Sequence, residues 1–250
     1  MTLQDFFAQN PEVALAFSGG VDSAYLLYAA KKYARRVRAY YVNAAFQPRF
    51  ELEDAQRLAA ELDADMRVLE VDVLSDATVT ANPADRCYHC KRRIFSTILS
   101  AAAEDGFTVL LDGTNASDDA GDRPGMRALR ELSVRSPLRE CGLTKPEIRR
   151  LSREAGLFTW NKPAYACLAT RIPTGEPITA EKLQHTEVAE NALFALGFTD
   201  FRVRLLHGCA RIQVPAAQMP RLLELRTDVY AALKPHYAAV LLDLEARDEQ

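Results

Sequence analysis

The sequence predicts an α/β protein, a doubly wound parallel sheet followed by a smaller C-terminal α+β domain. Two observations lead to this prediction. Short apolar runs alternate with segments of helical spacing from Val13 to Leu111, which is typical of parallel strands joined by right-handed helical crossovers. Beyond about residue 177 the pattern changes to helix, hairpin, helix and strand, which indicates a separate α+β unit.

The strands of the first domain are predicted from short apolar runs. They are Val13 to Phe17, Val37 to Val42, Met66 to Val73 and Thr108 to Leu111. Helical spacing predicts a lead-in helix within residues 1–12 and helices over Asp22 to Ala34, Glu51 to Leu62 and about Arg92 to Glu104. Because the carboxyl ends of parallel strands meet at one edge of the sheet, we expect a ligand there.

The chain after residue 140 is predicted to contain one more helix of the first domain and then the second domain. Thr144 and Glu147 have the spacing of a capping box, and Gly156 ends that helix. A proline-rich loop over residues 160–177 holds the domain boundary, giving domains 1–165 and 166–250. The second domain is predicted to contain a helix over Thr179 to Leu196, strands over Phe201 to Leu206 and Ala210 to Val214, a helix opened by Pro215 and a strand over Val240 to Leu244. We expect these strands to form an antiparallel sheet.

Composition excludes several classes of protein. Apolar residues make up 48% of the 250 residues, and the net charge of -3 gives no reason to expect nucleic acid as the main partner. The N-terminus lacks a signal core and no apolar run approaches ~18 residues, so we expect a cytoplasmic protein. An odd count of 5 cysteines without a secretion signal leaves reduced thiols, metal ligands or nucleophiles.

The segment Ser18-Gly19-Gly20-Val21-Asp22-Ser23, the glycine bend, joins the first strand to a helix. Two adjacent glycines allow positive φ and close backbone approach, so amides around the turn can point at an anion while the helix dipole adds partial positive charge. The bend has no lysine where a Walker P-loop would place one, and therefore suits a released pyrophosphate better than a transferred phosphoryl group. The alternative interpretation is an ordinary turn capped by serine and aspartate.

Polar residues follow two more predicted strands at the same edge. Asn43 follows the second strand, where a doubly wound sheet places the adenosine of a nucleotide. The fourth strand leads into Asp112-Gly113-Thr114-Asn115-Ala116-Ser117-Asp118-Asp119, whose oxygen groups suit a nucleotide or its Mg²⁺, although alone the segment also reads as an Asx-rich turn. The residues assigned to nucleotide binding are those of the glycine bend with Asn43, Gly113, Thr114, Asn115 and Asp118.

Three cysteines are candidates for sulfur or metal chemistry. Cys87 and Cys90 lie in a predicted loop flanked by basic residues, which favour thiolates, and two thiolates can bind one metal centre. A second Cys-x-x-Cys, which a zinc ribbon needs, does not occur in the sequence, and two structural cysteines remain an alternative. Cys167 lies in an irregular segment near Arg171, which could stabilise a thiolate or bind phosphate. Cys141 and Cys209 match no motif, and Cys209 is expected in the core.

Six motifs occur in one order. They are the glycine bend, Arg-Cys-Tyr-His-Cys-Lys, Gly-Thr-Asn-Ala-Ser-Asp-Asp, Ser-Pro-Leu, Leu-Thr-Lys-Pro-Glu-Ile-Arg and Ala-Cys-Leu-Ala-Thr-Arg-Ile-Pro. The glycine bend resembles the PP-loop of the ATP pyrophosphatase superfamily. The whole set, over about Val13 to Val214, resembles the LarE family of ATP-dependent sulfur transferases, which help to build the nickel-pincer nucleotide cofactor of lactate racemase.

This resemblance implies an activity and its cofactors. ATP would adenylate a carboxylate of pyridinium-3,5-biscarboxylic acid mononucleotide, and sulfur would replace the activated oxygen to give a thiocarboxylate. ATP and Mg²⁺ are implied, and so is a homo-oligomer, often a hexamer. In the family the cysteine at the position of Cys167 is either consumed as sulfur donor or ligates a [4Fe-4S] cluster with the pair at Cys87 and Cys90. Because three thiolates leave one iron open for sulfide, we favour the cluster.

The resemblance also implies roles for further residues, three of them inside these motifs. Tyr88, Thr170, Arg171, Arg202 and Arg204 are assigned to the substrate, and Glu190 to a divalent ion. Arg202 and Arg204 alternate on a predicted strand, so both guanidinium groups should face one side, where they suit phosphate. Without the resemblance, an ordinary solvated strand face is the alternative. Many relatives have an acidic residue at the position of Gln213, which is neutral and a poorer metal ligand.

Two other readings of the sequence stay open. A tRNA thiolase or an ammonia-dependent amide synthetase would keep the PP-loop and change the acceptor, although the net charge does not suggest tRNA binding. A non-catalytic nucleotide sensor of the universal-stress type would have a similar fold. Release of pyrophosphate from ATP in the presence of candidate acceptors separates these readings.

Overall fold

The structure is a computed structural model that describes residues 1–118 and 124–247. Asp119, predicted to lie in the polar segment after the fourth strand, is outside the described residues. The strands are β1 (Glu12–Ala16), β2 (Arg36–Asn43), β3 (Met66–Glu70), β4 (Leu110–Leu111), β5 (Arg202–Leu206), β6 (Cys209–Gln213) and β7 (Val240–Leu242). The α-helices are α1 (Leu3–Gln9), α2 (Val21–Tyr33), α3 (Arg49–Glu61), α4 (Ala77–Thr80), α5 (Arg86–Glu104), α6 (Pro124–Glu131), α7 (Pro137–Glu140), α8 (Lys145–Glu154), α9 (Ala180–Ala195), α10 (Met219–Glu224) and α11 (Arg226–Leu233).

The chain divides into two compact units. Unit 1 contains Met1–Val73 and Asp85–Lys162, and unit 2 contains Leu74–Ala84 and the chain from Pro163 onward. The segment Leu74–Ala84 belongs to unit 2 because its backbone pairs there: Gly175 N donates to Asn82 O at 2.8 Å, and Ile178 N donates to Thr80 O at 2.8 Å. The domain limits 1–165 and 166–250 remain a prediction.

Unit 1 is built on a parallel four-stranded sheet with the order β3-β2-β1-β4. The predicted α/β class is therefore confirmed. The central strand β1 is apolar because helices cover both faces of such a sheet, and Val13 and Leu15 are completely buried. Helix α2 follows β1 directly and contributes Leu26 and Leu27 to the same core.

Unit 2 contains a mixed three-stranded sheet with the order β5-β6-β7. Strands β5 and β6 form an antiparallel hairpin through His207 and Gly208, which both have positive φ, as a two-residue type I′ turn requires. Strand β7 pairs with β6 in parallel, so the prediction of an antiparallel sheet is wrong for this strand. Helices α10 and α11 lie between β6 and β7 in the chain, and such a crossover returns the chain in the same direction.

The Cys-x-x-Cys pair lies on a helix, and the prediction of a loop is wrong. The sequence predicts a loop before a helix that starts near Arg92, but α5 already begins at Arg86, so Cys87 and Cys90 are in its first turns. The first turns of α5 are mostly charged and polar, and the apolar spacing used for the prediction becomes regular only later in the helix.

Within the part of the chain that the structure describes, none of the helices combines the length and the apolar character that a bilayer crossing needs.

Candidate nucleotide and sulfur-transfer site

The glycine bend follows β1 at the carboxyl edge of the sheet. Gly19 has φ of 71°, and a Cβ at this position would lie 3.2 Å from the carbonyl oxygen of Glu51 and 3.3 Å from Cβ of Ala55. Both observations require glycine, because L side chains rarely adopt this conformation and α3 leaves little space for one. The conformation of the bend therefore depends on the close approach of the Gly19 backbone to α3.

The first turn of α2 offers amide groups to a ligand. The first intrahelical bond runs from Ala24 N to Gly20 O at 2.9 Å, so the amides of Val21, Asp22 and Ser23 precede it. Gly20 is the N-cap residue and has no side chain that could accept from them. Amides that precede the first intrahelical bond, together with the helix dipole, make this helix start suitable for an anion.

The two predicted hydroxyl donors of the bend contact each other. Ser18 Oγ lies 3.1 Å from Ser23 Oγ, and Ser23 Oγ also lies 3.1 Å from Gly20 O and 3.3 Å from Ser18 N. These contacts tie the start of the bend to the first turn of α2.

The segment after β4 comes directly against the bend. A Cβ on Gly113 would lie 3.0 Å from Ser23 N, so this close approach to backbone favours glycine. Asn115 Nδ2 donates to Asp22 Oδ1 at 3.3 Å. The structure thus brings Gly113 and Asn115, two of the residues predicted for nucleotide binding, together with the bend.

Other polar groups of this segment mainly satisfy one another. Buried Asp112 accepts from Ser136 Oγ at 2.6 Å and from Thr114 Oγ1. Asp118 Oδ2 accepts from Asn115 N at 2.9 Å, and Asn115 Oδ1 accepts from Ser117 N at 2.8 Å, which is an Asx-turn contact. Thr114 and Asp118 therefore shape the loop, and their assignment to the nucleotide stays a prediction.

Asn43 is the last residue of β2. Its Nδ2 lies 3.0 Å from both carboxylate oxygens of Glu70, the last residue of β3. The residue lies at the carboxyl edge, as predicted, and its side chain is held by the neighbouring strand. Its contact with adenosine stays a prediction.

Two lysines from distant parts of the chain reach the bend, and sequence reasoning missed both. Lys145 Nζ lies 2.5 Å from Asp22 Oδ2 across 123 residues of sequence. Lys162 Nζ lies 2.7 Å from Asp54 Oδ2 and 3.4 Å from Gly19 O. The motif Leu-Thr-Lys-Pro-Glu-Ile-Arg was the available signal for Lys145, since it is one of the six motifs that carry the family resemblance. Lys162 has no comparable signal.

The thiol pair of unit 1 is at the N-terminus of α5. Cys87 is exposed and Cys90 half-buried, and residues three apart lie on one helix face. Arg86 Nη2 is 3.7 Å from Cys87 Sγ. The cation and the start of the helix both place positive charge near this sulfur.

Tyr88, between the two cysteines, is packed inside unit 1. Its hydroxyl donates to Glu131 Oε2 at 2.7 Å, and the Arg127 guanidinium lies 3.9 Å from its ring centre. The side chain is buried. These contacts give Tyr88 a structural role, and its predicted contact with the substrate stays a prediction.

Cys167 of unit 2 is half-buried and comes just before a 3₁₀ turn, Leu168–Arg171. Its carbonyl accepts from Thr170 N at 2.9 Å and from Thr170 Oγ1 at 2.8 Å. Thr170 therefore fixes the backbone that carries the thiol.

Arg171 and Glu190 form a buried ion pair in unit 2. Arg171 Nε lies 2.7 Å from Glu190 Oε1 and Nη2 lies 3.1 Å from Oε2. Tyr165 OH also donates to Glu190, and Val203 N donates to Oε1 at 3.0 Å. Burial opposes the charge of Arg171, but the hydrogen-bonded Glu190 more than offsets it and raises the arginine pKa. A divalent ion on Glu190 would have to displace these donors, so that assignment stays a prediction.

Arg202 and Arg204 extend this cluster. Arg202 Nη2 donates to Ala164 O at 2.7 Å, and Arg204 Nη1 donates to Thr170 O at 2.8 Å. Burial first, and then the neighbouring Arg171 cation, lowers the pKa of Arg202 to about 10, and the same causes lower the pKa of Arg204. Burial is the larger cause, and the smaller contribution from neighbouring cations is the part that a bound anion would relieve.

Gln213 joins Arg204 to an acidic group. Its Oε1 accepts from Arg204 Nε at 2.6 Å, and its Nε2 donates to Asp243 Oδ2 at 2.8 Å. A glutamate could not donate to Asp243 in this way, so the amide fits its position.

Among residues 1–118 and 124–247, no three His, Cys, Asp or Glu side chains are grouped closely enough to hold a metal ion. Cys87 and Cys90 are in unit 1 and Cys167 is in unit 2.

Comparisons with known proteins agree with this arrangement. The asparagine synthase family model matches residues 7–123, which include the bend and the segment after β4. An uncharacterized protein of Synechocystis is 37% identical over 224 residues, 89% of this chain and 83% of its own length. The pyridinium-3,5-bisthiocarboxylic acid mononucleotide synthase of Lactiplantibacillus plantarum is 35% identical over 209 residues, 83% of this chain and 76% of its own.

The chain belongs to the LarE family. The predicted resemblance is therefore confirmed. A tRNA-specific 2-thiouridylase of Clostridium botulinum is 28% identical over 182 residues but covers 60% of the chain and 52% of its own length. For this LarE-family chain, the structure gathers the bend, Gly113 and Asn115 in unit 1, and the Arg171, Arg202 and Arg204 cluster in unit 2.

Proposed function

We propose that this protein is an ATP-dependent sulfur transferase that converts a carboxylate of pyridinium-3,5-biscarboxylic acid mononucleotide into a thiocarboxylate. The observation that carries the proposal is the uncapped N-terminus of α2 at the glycine bend, in a chain 35% identical to a synthase of the bisthiocarboxylic product. The second domain would bind the substrate. Two successive cycles of adenylation and sulfur transfer would modify both carboxylates.

The first half-reaction is adenylation at the bend. A substrate carboxylate oxygen forms a bond to the α-phosphorus of ATP while the bond from that phosphorus to the β-phosphate oxygen breaks, and pyrophosphate leaves with the electron pair. The amides of Val21, Asp22 and Ser23 would bind phosphate oxygens. Asp22 and the oxygens after β4 are the hard ligands that would hold Mg²⁺, which balances phosphate charge.

The arginine cluster of unit 2 supports the choice of acceptor. The substrate carries two carboxylates and a phosphate, and arginine forks bind both groups in bidentate fashion. Burial, and then the neighbouring cations, lower the pKa values of Arg202 and Arg204, and a bound anion would offset the repulsion between these cations. Thr170 Oγ1 donates to the backbone carbonyl of Cys167, and the Arg171 guanidinium donates to Thr170 Oγ1, so both residues fix the segment that carries the thiol.

The second half-reaction replaces AMP by sulfur. Sulfide attacks the acyl carbon of the adenylate, and AMP leaves with the bonding electron pair. We favour a [4Fe-4S] cluster, which Cys87, Cys90 and Cys167 would hold with three thiolates and which would supply the sulfide for this step. Two of these three thiols suit a shared metal centre, because Cys87 and Cys90 lie on one helix face and Arg86 is close to Cys87. In the alternative, Cys167 thiolate attacks, and cleavage of its Cβ–S bond with loss of the α-proton releases the thiocarboxylate and leaves dehydroalanine.

One anaerobic experiment tests the reaction. The full chain is incubated with ATP, Mg²⁺, sulfide and the biscarboxylic mononucleotide, and AMP, pyrophosphate and the mass of the nucleotide product are measured. We expect one AMP and one pyrophosphate for each oxygen replaced by sulfur. Tests with tRNA or with ammonia as acceptor serve as controls. Pyrophosphate release that depends on one of these acceptors, and not on the mononucleotide, would refute the proposal.

A second measurement separates the two sulfur sources. Iron and acid-labile sulfide are counted after anaerobic reconstitution, and the protein mass is recorded before and after turnover. The cluster predicts bound iron that Cys87→Ala removes and an unchanged protein mass. A colourless active protein that loses the mass of one hydrogen sulfide from Cys167 would establish the sacrificial route. Light scattering of the same sample tests the proposed homo-oligomer.

A further inference from the structure

Lys145 places a cation at the glycine bend from another part of unit 1. Its Nζ lies 2.5 Å from Asp22 Oδ2, and Asp22 is in the first turn of α2, among the amides that precede the first intrahelical bond. Asn115 Nδ2 contacts the other carboxylate oxygen at 3.3 Å. The carboxylate is thus held on both sides, and the ammonium is fixed at the edge of the bend.

The backbone of Lys145 is fixed just as closely. Thr144 caps α8, with its N and Oγ1 lying 2.9 Å and 2.6 Å from Glu147 Oε2. Lys145 N donates to Ser117 Oγ at 3.0 Å, in the segment after β4. The start of α8 is therefore tied to the loop that lies against the bend, while the lysine side chain remains 30% exposed and open to an incoming group.

A purely structural role explains this lysine poorly. Ion pairs between partly exposed side chains contribute little to stability. An ammonium has three protons, and one contact with Asp22 leaves others for a ligand. Pyrophosphate, in contrast, carries several negative charges, which amides with partial charges do not balance.

Lys162 is less suited to the same role. Its side chain is 15% exposed and its Nζ lies 2.7 Å from Asp54 Oδ2 and 3.4 Å from the Gly19 carbonyl. These contacts fasten the backbone of the bend to α3. Lys145 is the more exposed of the two cations and lies at the helix start where phosphate oxygens are expected.

We propose that Lys145 binds the pyrophosphate leaving group of ATP and so supplies the cation that the glycine bend itself does not contain. This inference rests on the proposed adenylation. As the bond between the α-phosphorus and the β-phosphate oxygen breaks, the electron pair moves onto pyrophosphate, and the Lys145 ammonium donates hydrogen bonds to that oxygen and its neighbours. The lysine keeps its proton, and Asp22 orients it.

Binding of inorganic pyrophosphate, measured by calorimetry at fixed Mg²⁺, tests the proposal without any acceptor. Lys145→Met should weaken binding roughly 10- to 100-fold, since a charge-assisted hydrogen bond is lost, and Lys145→Arg should retain most of the affinity. Arg150→Met is the matched control, because Arg150 is on the same helix, exposed, and paired with Glu154. It should bind pyrophosphate like the wild type.

The outcomes are distinguishable. Equal pyrophosphate affinity in wild type and Lys145→Met, with lower melting temperature in the variant, would show a structural role and overturn the proposal. A wild type that binds no pyrophosphate would also overturn it. If Lys145→Met weakens pyrophosphate binding while the wild type forms no thiocarboxylate, the assignment of Lys145 stands and the proposed acceptor chemistry fails.

Discussion

Arg171 and Glu190 face each other in unit 2 with two hydrogen bonds of 2.7 Å and 3.1 Å, and their side chains are 0% and 1% exposed. Breaking such a pair leaves a charge buried without its partner, which costs far more than the pair contributes relative to apolar residues. This pair also lies next to the backbone that carries Cys167, because Arg171 Nη1 donates to Ala166 O at 3.1 Å.

Glu190→Gln should destabilise the protein by about 3–5 kcal/mol, because the Arg171 cation would be buried beside a neutral amide. Urea unfolding measures this change. Glu181→Gln on the same helix is the control, since Glu181 is exposed and should change stability by about 0.5 kcal/mol or less. If Glu190 instead holds a divalent ion, Mg²⁺ or Mn²⁺ should raise the wild-type melting temperature, and Glu190→Gln should abolish that rise.

Gly19→Ala tests whether close approach shapes the bend. Both Gly19 and Gly142 have positive φ, but a Cβ would contact α3 at Gly19 and meet nothing within 4 Å at Gly142. Gly142→Ala should therefore cost only the left-handed strain, about 1–2 kcal/mol, and leave ATP turnover intact. Gly19→Ala should cost about 1–3 kcal/mol more and reduce adenylation, because α3 or the bend must shift. Equal effects on unfolding and turnover would contradict this account.

Local patterns explain which parts of the fold could be predicted. The parallel strands of unit 1 were predictable because each is an apolar run followed by helical spacing. The start of α5 was not, since its first turns are mostly charged and polar, and Tyr88 is buried by contacts of its ring with arginines that hydrophobic periodicity does not report. Strand β7 pairs with β6 in parallel because helices α10 and α11 connect the two strands and return the chain in the same direction. The prediction instead extended the antiparallel pairing of the hairpin at His207 to β7.

The candidate site shows the same limit. The glycine bend and the segment after β4 have local signatures, because their conformations require particular residues. Lys145 and Lys162 reach the bend across 123 and 143 residues, and no local spacing encodes such contacts. The preference for glycine at position 113 is likewise explained only by the folded structure, in which Gly113 lies against Ser23 N.

Asn82 should be the main residue that attaches Leu74–Ala84 to the rest of unit 2. It is 1% exposed, has φ of 56°, and its Nδ2 donates to Pro173 O at 2.8 Å and Glu176 O at 3.1 Å. Asn82→Gly keeps the positive φ but removes the donor, so it should cost about 1–3 kcal/mol. Asn82→Asp should cost more, because a carboxylate would face carbonyl oxygens.

Hydrogen exchange checks the position of that effect. The amides of Gly175 and Ile178 donate to the backbone of Asn82 and Thr80, so both variants should lose protection there first. The amide of Ala14 in β1, which donates to Val109 O, is the internal control and should change only with global stability. Uniform loss of protection at all three amides would refute a local attachment.

Asp105 should make stability depend on acidity. Hydrogen bonds from Arg38, from Tyr40 at 2.8 Å and from Arg67 lower its pKa to about 2. A carboxyl whose folded pKa lies below its unfolded value of about 3.9 stabilises the fold above that value, and the contribution is lost as pH falls toward the folded pKa. Asp105→Asn should therefore be less stable than wild type at neutral pH, and the difference should shrink between about pH 4 and pH 2.

Urea midpoints of wild type and Asp105→Asn, measured from neutral to acidic pH, check this. Glu53→Gln is the matched control, because it also replaces a carboxylate by an amide, on the exposed side of α3. Its difference from wild type should stay small at every pH. A difference between wild type and Asp105→Asn that stays constant down to about pH 2 would mean that the contacts of Arg38, Tyr40 and Arg67 do not depend on the charge of Asp105, because protonation of the carboxyl would then change nothing.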